Sequence, residues 1–117
     1  MKIELPLDGR QRSRLRPVSK ALFHSDYALE AFLLILNEEQ FFSGQVAEVV
    51  GCQANYAGIF VKRLQKAGLV EALPREAGQR RHYFRQRPSA IWRAIEALIE
   101  SALDEPQAEV TALPSRS

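Results

Sequence analysis

Two glycines frame the most constraining stretch of this chain. In "SGQVAEVVGCQANYAGIFVKRLQKAGLV", Ser43 to Val70, Gly51 and Gly68 each follow an apolar-periodic run. Each can take the positive φ that ends a helix at no steric cost. Between them Ala57, Val61, Leu64 and Ala67 follow an i, i+4, i+7, i+10 rhythm, with Phe60 beside Val61. That spacing predicts one buried face of a helix starting at Gln53. Upstream, Ser43 is a good N-cap, and Val46, Ala47 and Val50 predict a short helix that Gly51 ends. The pattern is short helix, tight turn, longer helix. Two helices so joined need further elements to cover their apolar faces.

Those elements flank the stretch. Ser25 or Asp26 can cap a helix running to about Asn37, in which Leu29, Phe32, Leu33 and Leu36 recur at helical spacing. Ala28, Leu34 and Ile35 widen that stripe until the helix is apolar nearly all round, which suits a central position or a subunit interface. Phe41 and Phe42 suggest a very short strand. Downstream, Leu69–Leu73 and Arg80–Arg85 are two expected strands joined by "PREAG", with Pro74 and Gly78 as turn residues. Pro88 and Ser89 open a last helix to about Leu103. Before residue 21, "IELPL" suggests a short edge strand and Arg10 to Arg16 a mobile basic arm. The expected fold class is therefore mainly α with a small β-hairpin (α+β). Its expected division is a basic arm at 1–20, a body at 21–104 and a disordered, Pro- and polar-rich tail at 105–117.

Composition bounds the rest. A chain of 117 residues, 46% hydrophobic and 26% charged, is one soluble globular domain with room for a core. The N-terminus lacks a continuous apolar run, so no signal peptide is expected, and "ALEAFLLILN" is too short to span a bilayer. The expected location is cytoplasmic. The net charge of +2 conceals a strong segregation. Residues 1–20 carry six bases against Glu4 and Asp8, and 21–61 carry only acids, five of them. Residues 62–93 carry nine bases against Glu71 and Glu76, a balance of +7, and 94–117 return to −4. A cationic block beside the two-helix pattern is what a polyanion-binding face requires.

"VAEVVGCQANYAGIFVKRLQKAGLV" resembles the helix-turn-helix of the ArsR- and MarR-type winged-helix transcriptional regulators. The shared features are Val46-Ala47, the Gly51 turn, inward Ala57 and Val61, Lys62–Leu64 and Ala67–Val70. "GQRRHYFRQRP", Gly78–Pro88, is similar to their second wing strand. The resemblance spans about Ala21 to Leu103. It implies a winged helix-turn-helix with an N-terminal arm and a C-terminal dimerisation helix, binding double-stranded DNA as a homodimer. The second helix of such a motif enters the major groove with its N-terminal part toward the base edges. On that implication Gln53 and Asn55 are base-reading amides, and Tyr56, Lys62 and Arg63 are phosphate contacts. Arg75, Arg80 and Arg81 lie at the wing, with Arg80 and Arg81 pointing to opposite faces of a strand. For Gln53 a plain N-cap role weighs equally, and for Tyr56 packing weighs more. Gly58 and Ile59 depart from the usual polar residues at outward positions. Either a close approach to DNA or tight helix packing would explain Gly58. Ile95, Ile99 and Leu103 are the expected dimer contacts.

Catalysis finds little support: the sequence has no Gly-rich phosphate loop, nucleophile elbow or HExxH, and His24 and His82 lack carboxylates at ligand spacing. No enzyme activity, cofactor or metal is expected. Cys52 stands alone where metal-sensing relatives often carry paired cysteines; near a helix N-terminus it could have a lowered pKa, though filling a small apolar site is the plainer role. The alternative function is a winged-helix protein-interaction module without DNA binding. The sequence assigns no small-molecule effector.

Overall fold

The computed structural model describes residues 3–104, so the expected tail at 105–117 lies outside the described residues. Seven elements follow one another: α1 (Gly9–Phe23), α2 (Ala28–Asn37), α3 (Ser43–Val50), α4 (Ala54–Lys66), β1 (Val70–Ala72), β2 (Phe84–Gln86) and α5 (Ala90–Leu103). The fold class is as expected, mainly α with one small hairpin.

Helix α2 is the hub. It packs against α1, α3, α5 and β2, which is why almost no polar face survives in its sequence. Its first turn is set differently from expectation. Tyr27 is the N-cap and makes no side-chain cap, while the Ser25 hydroxyl accepts the Tyr27 N–H at 3.1 Å. Ser43 likewise lies inside α3, after Phe42 as N-cap.

The expected N-terminal arm is instead helix α1. Asp8 and Gln11 form a reciprocal capping box: the Gln11 N–H donates to Asp8 Oδ1 at 2.8 Å and the Asp8 N–H to Gln11 Oε1 at 3.0 Å. Leu15 and Ser19 are buried, and the Ser19 hydroxyl donates to the Ser25 carbonyl at 2.6 Å. The arginines are tied down as well. Arg12 Nε and Arg16 Nε bind the two carboxylate oxygens of fully buried Glu30 at 3.0 and 2.8 Å. Their Nη2 groups donate to the Val49 and Val50 carbonyls at the end of α3, at 3.2 and 3.3 Å. Arg14 donates to the Leu103 and Asp104 carbonyls, the C-terminal end of α5. A run read as a mobile cationic arm is therefore a clamp across three helices. The "IELPL" segment forms no strand; Leu7 is buried, and Ile3 and Leu5 pack against the core.

Helix α5 packs against both α1 and α2, and the core takes up two of the three expected dimer contacts. Ile99 is 0% exposed and Ile95 8%, both within the chain's own core, and Leu103 is half-buried against it. Ser89 caps α5 as expected, accepting the Ile91 N–H at 3.1 Å, and Trp92 Nε1 donates to the Leu69 carbonyl at 3.0 Å.

The hairpin is antiparallel, pairing Val70 with Gln86, Glu71 with Arg85 and Ala72 with Phe84. Its second strand begins at Phe84 rather than Arg80. Phe41 adds a single bridge on the other side of Phe84, all that forms of the short strand expected there. Among the described residues no helix is long and apolar enough to cross a membrane.

Candidate nucleic-acid interface

Gly51, at φ 84°, turns the chain between α3 and α4, and its N–H donates to the Ala47 carbonyl at 2.9 Å. Ala57, Val61 and Leu64 are buried on one face of α4; Ala67, expected there too, is exposed beyond the helix end. The helical period then turns Asn55, Ile59, Lys62 and Lys66 directly away from the core. Arg63 is exposed beside them, and α4 carries no acidic side chain.

Position by position, the structure sorts the expected contacts. Gln53 is the N-cap residue by backbone, yet its exposed side chain makes no cap bond, so the plain capping role is removed. Asn55 is exposed. Tyr56 turns inward: its hydroxyl shares a 2.6 Å hydrogen bond with the Ser25 hydroxyl, and its ring stacks on Phe60 and meets Tyr27 edge-on. Burial pushes its phenol pKa up. Tyr56 is thus a latch between α4 and the loop before α2, not an outward phosphate contact. Tight packing at Gly58 is also removed, because a Cβ built there meets no heavy atom within 4 Å. A helix-interior glycine costs about 1 kcal/mol relative to alanine. Here no neighbour in the fold requires it.

The wing is a loop, residues 73–83, closed from within. Arg75 Nη2 donates to the Gln79 and Arg80 carbonyls, both at 2.9 Å, and the Glu76 N–H donates to Gln79 Oε1 at 3.0 Å. Arg75 therefore braces the tip instead of projecting from it. Arg80 and Arg81 are exposed and precede the strand, so the alternation expected for them does not apply. The Arg81 guanidinium lies over the Phe42 ring, 4.5 Å from its centroid, which steers it toward the start of α3. Arg85 pairs with Glu71, which also lies 4.0 Å from Arg87, so these two bases serve the sheet.

Together α3, α4 and the wing form a groove of about 310 Å³, whose lining includes Ser43, Gly58, Lys62, Arg80 and Arg81. Lys62, Arg80 and Arg81 come together at this groove, while Arg63 lies along α4 with Lys62 and Lys66; Tyr56 and Arg75 do not join the groove. Cys52 is half-buried and its thiol pKa is raised, first by desolvation and also by Glu30, the opposite of an activated thiolate. Among the described residues no group of three or more His, Cys, Asp or Glu could hold a metal ion. Sequence reasoning missed the Ser25–Tyr56 latch, because nothing in spacing brings a loop serine to α4.

No family model and no curated protein sequence matches the chain. Solved structures do match it in shape. A MarR-family transcriptional regulator from Silicibacter pomeroyi superposes with a TM-score of 0.63 at 18% identity, covering 91% of this chain and 71% of that one. NadR in complex with 4-hydroxyphenylacetate gives 0.60 at 20% identity, covering 86% and 70%. A mutant MarR from E. coli complexed with operator DNA gives 0.54 at 15% identity, covering 80% and 65%. The chain has the MarR-type winged-helix fold. These matches bear out the fold on the MarR side of the resemblance and leave the ArsR side unconfirmed. Within this winged helix, α3 and α4 are the helix-turn-helix, β1, β2 and the loop 73–83 are the wing, and α1, α2 and α5 form the supporting layer.

Proposed function

We propose that the chain is a sequence-specific double-stranded DNA-binding transcriptional regulator. It acts as a homodimer on a pseudo-palindromic site, with α4 in the major groove and the wing on the flanking backbone or minor groove. The observation that carries this reading is the outward side of α4. Gln53 and Asn55 are exposed amides with no internal role, and Lys62 and Arg63 stand exposed behind them. Arg80 and Arg81 share a groove with Lys62 from the wing side. Amides can bond bidentately to adenine N6 and N7, and the cations neutralise phosphates on either side. The structural likeness to a regulator solved with operator DNA supports a DNA duplex as the partner.

A salt series tests it. Fluorescence anisotropy with random duplex should show log K falling steeply and linearly with log salt, with a slope of roughly −0.9 per phosphate neutralised. A duplex selected from random sequence should bind tighter than random DNA, and alanine at Gln53 or Asn55 should remove about 1–3 kcal/mol of that advantage. Absence of binding at low salt would overturn the reading and leave the protein-interaction module in its place.

A further inference from the structure

We infer that Ile59 reads the 5-methyl group of a thymine, so that the preferred half-site contains a T·A pair opposite the centre of α4. The inference rests on the duplex-binding reading above. Ile59 is 52% exposed, takes no part in the hydrophobic core, and sits at the middle of the outward face. Around it lie Asn55 one turn before, Gly58 beside it, and Lys62, Arg63 and Lys66 after it, lining a shallow depression of about 480 Å³. A lone surface isoleucine is ordinary elsewhere on a protein. On this face its setting narrows what can cover it. The surrounding cations favour a polyanion, and the groove of a polyanionic duplex offers very little apolar surface.

In the major groove the apolar group among the base edges is the thymine methyl; guanine, adenine and cytosine present acceptors and donors there. An isoleucine pressed on those polar edges would desolvate them without replacing a hydrogen bond, which disfavours G·C at that position. Gly58 makes the approach possible, since the space where its side chain would stand is empty. Asn55 lies on the same face, four residues away, a rise of about 6 Å along the helix. An adenine bonded by Asn55 therefore falls within roughly two base pairs of the thymine, given the 3.4 Å step of duplex DNA.

Deoxyuridine, which lacks only the methyl, provides the test. The full chain is titrated with its selected duplex, and each thymine of one half-site is replaced in turn. One replacement should weaken wild-type binding roughly three- to fivefold, the effect of burying one methyl. Ile59→Ala should bind the thymine and deoxyuridine duplexes equally, keep wild-type affinity for random duplex, and retain its far-UV circular dichroism. The Ile59 assignment is overturned if no thymine discriminates, or if Ile59→Ala still distinguishes the two duplexes. It is also overturned if that variant weakens selected and random DNA alike. A flat deoxyuridine series with normal salt-dependent binding sinks this inference alone. Failure to bind any duplex sinks both it and the function proposed above.

Discussion

Glu30 holds the N-terminal helix in place. Its carboxylate is wholly buried between Arg12 and Arg16, whose side chains are 30% and 31% exposed and also reach the carbonyls that close α3. Removing one member of a buried ion pair leaves its partners poorly paired, which costs about 3–5 kcal/mol. Because both arginines retain some contact with water, Glu30→Ala should fall at the lower end, about 3 kcal/mol, measured by urea denaturation. A midpoint equal to wild type would show the cluster to be energetically idle. The residues of this cluster were all visible in the sequence: a lone acid in an apolar helix and two arginines four apart. Their connection was not, because it depends on α1 lying across α2, and spacing within one segment carries no information about what lies across it. The same gap turned Arg10 to Arg16 into an expected arm.

At the level of elements, boundaries marked by special backbone chemistry were readable and short strands were not. Gly51 and Gly68, both at positive φ, announced the ends of α3 and the α4 turn, and the Ser89 cap announced α5. Strands of three residues offer too few side chains for alternation to register, so the wing was read as strand where it is loop. That shift matters for its chemistry. With Arg75 spent on the loop's own carbonyls and Arg85 on Glu71, Arg80 and Arg81 are the wing bases left facing outward. Replacing both with alanine should weaken selected and random duplex equally and flatten the salt slope by roughly one unit per lost phosphate contact. Unchanged affinity for random DNA in the double variant would remove the wing from the interface.

Assembly is decided at the scale of the whole molecule. One winged helix with few base-reading side chains specifies little, whereas two recognition helices about 34 Å apart read two half-sites together. A homodimer is therefore expected, and a two-fold axis buries the same patch from each chain. The sequence suggested Ile95, Ile99 and Leu103 for that patch, but the first two are buried in the chain's own core, where α5 packs against α1 and α2. Ile99→Glu should consequently abolish cooperative unfolding, since a carboxylate would be desolvated in the core without a partner. It should not yield a folded monomer. The large apolar side chains left exposed in the supporting helices are Leu22 and Phe23 at the end of α1 and Ile91 at the start of α5. Phe23 also packs edge-on against Phe32, so Leu22 and Ile91 are the cleaner probes. Wild type should sediment as a dimer at roughly ten micromolar, within the range of a modest interface. Leu22→Glu or Ile91→Glu, at least one of them, should sediment as a monomer with unchanged circular dichroism. A monomeric wild type would overturn the dimer, and a dimer indifferent to both substitutions would place its interface elsewhere on the chain.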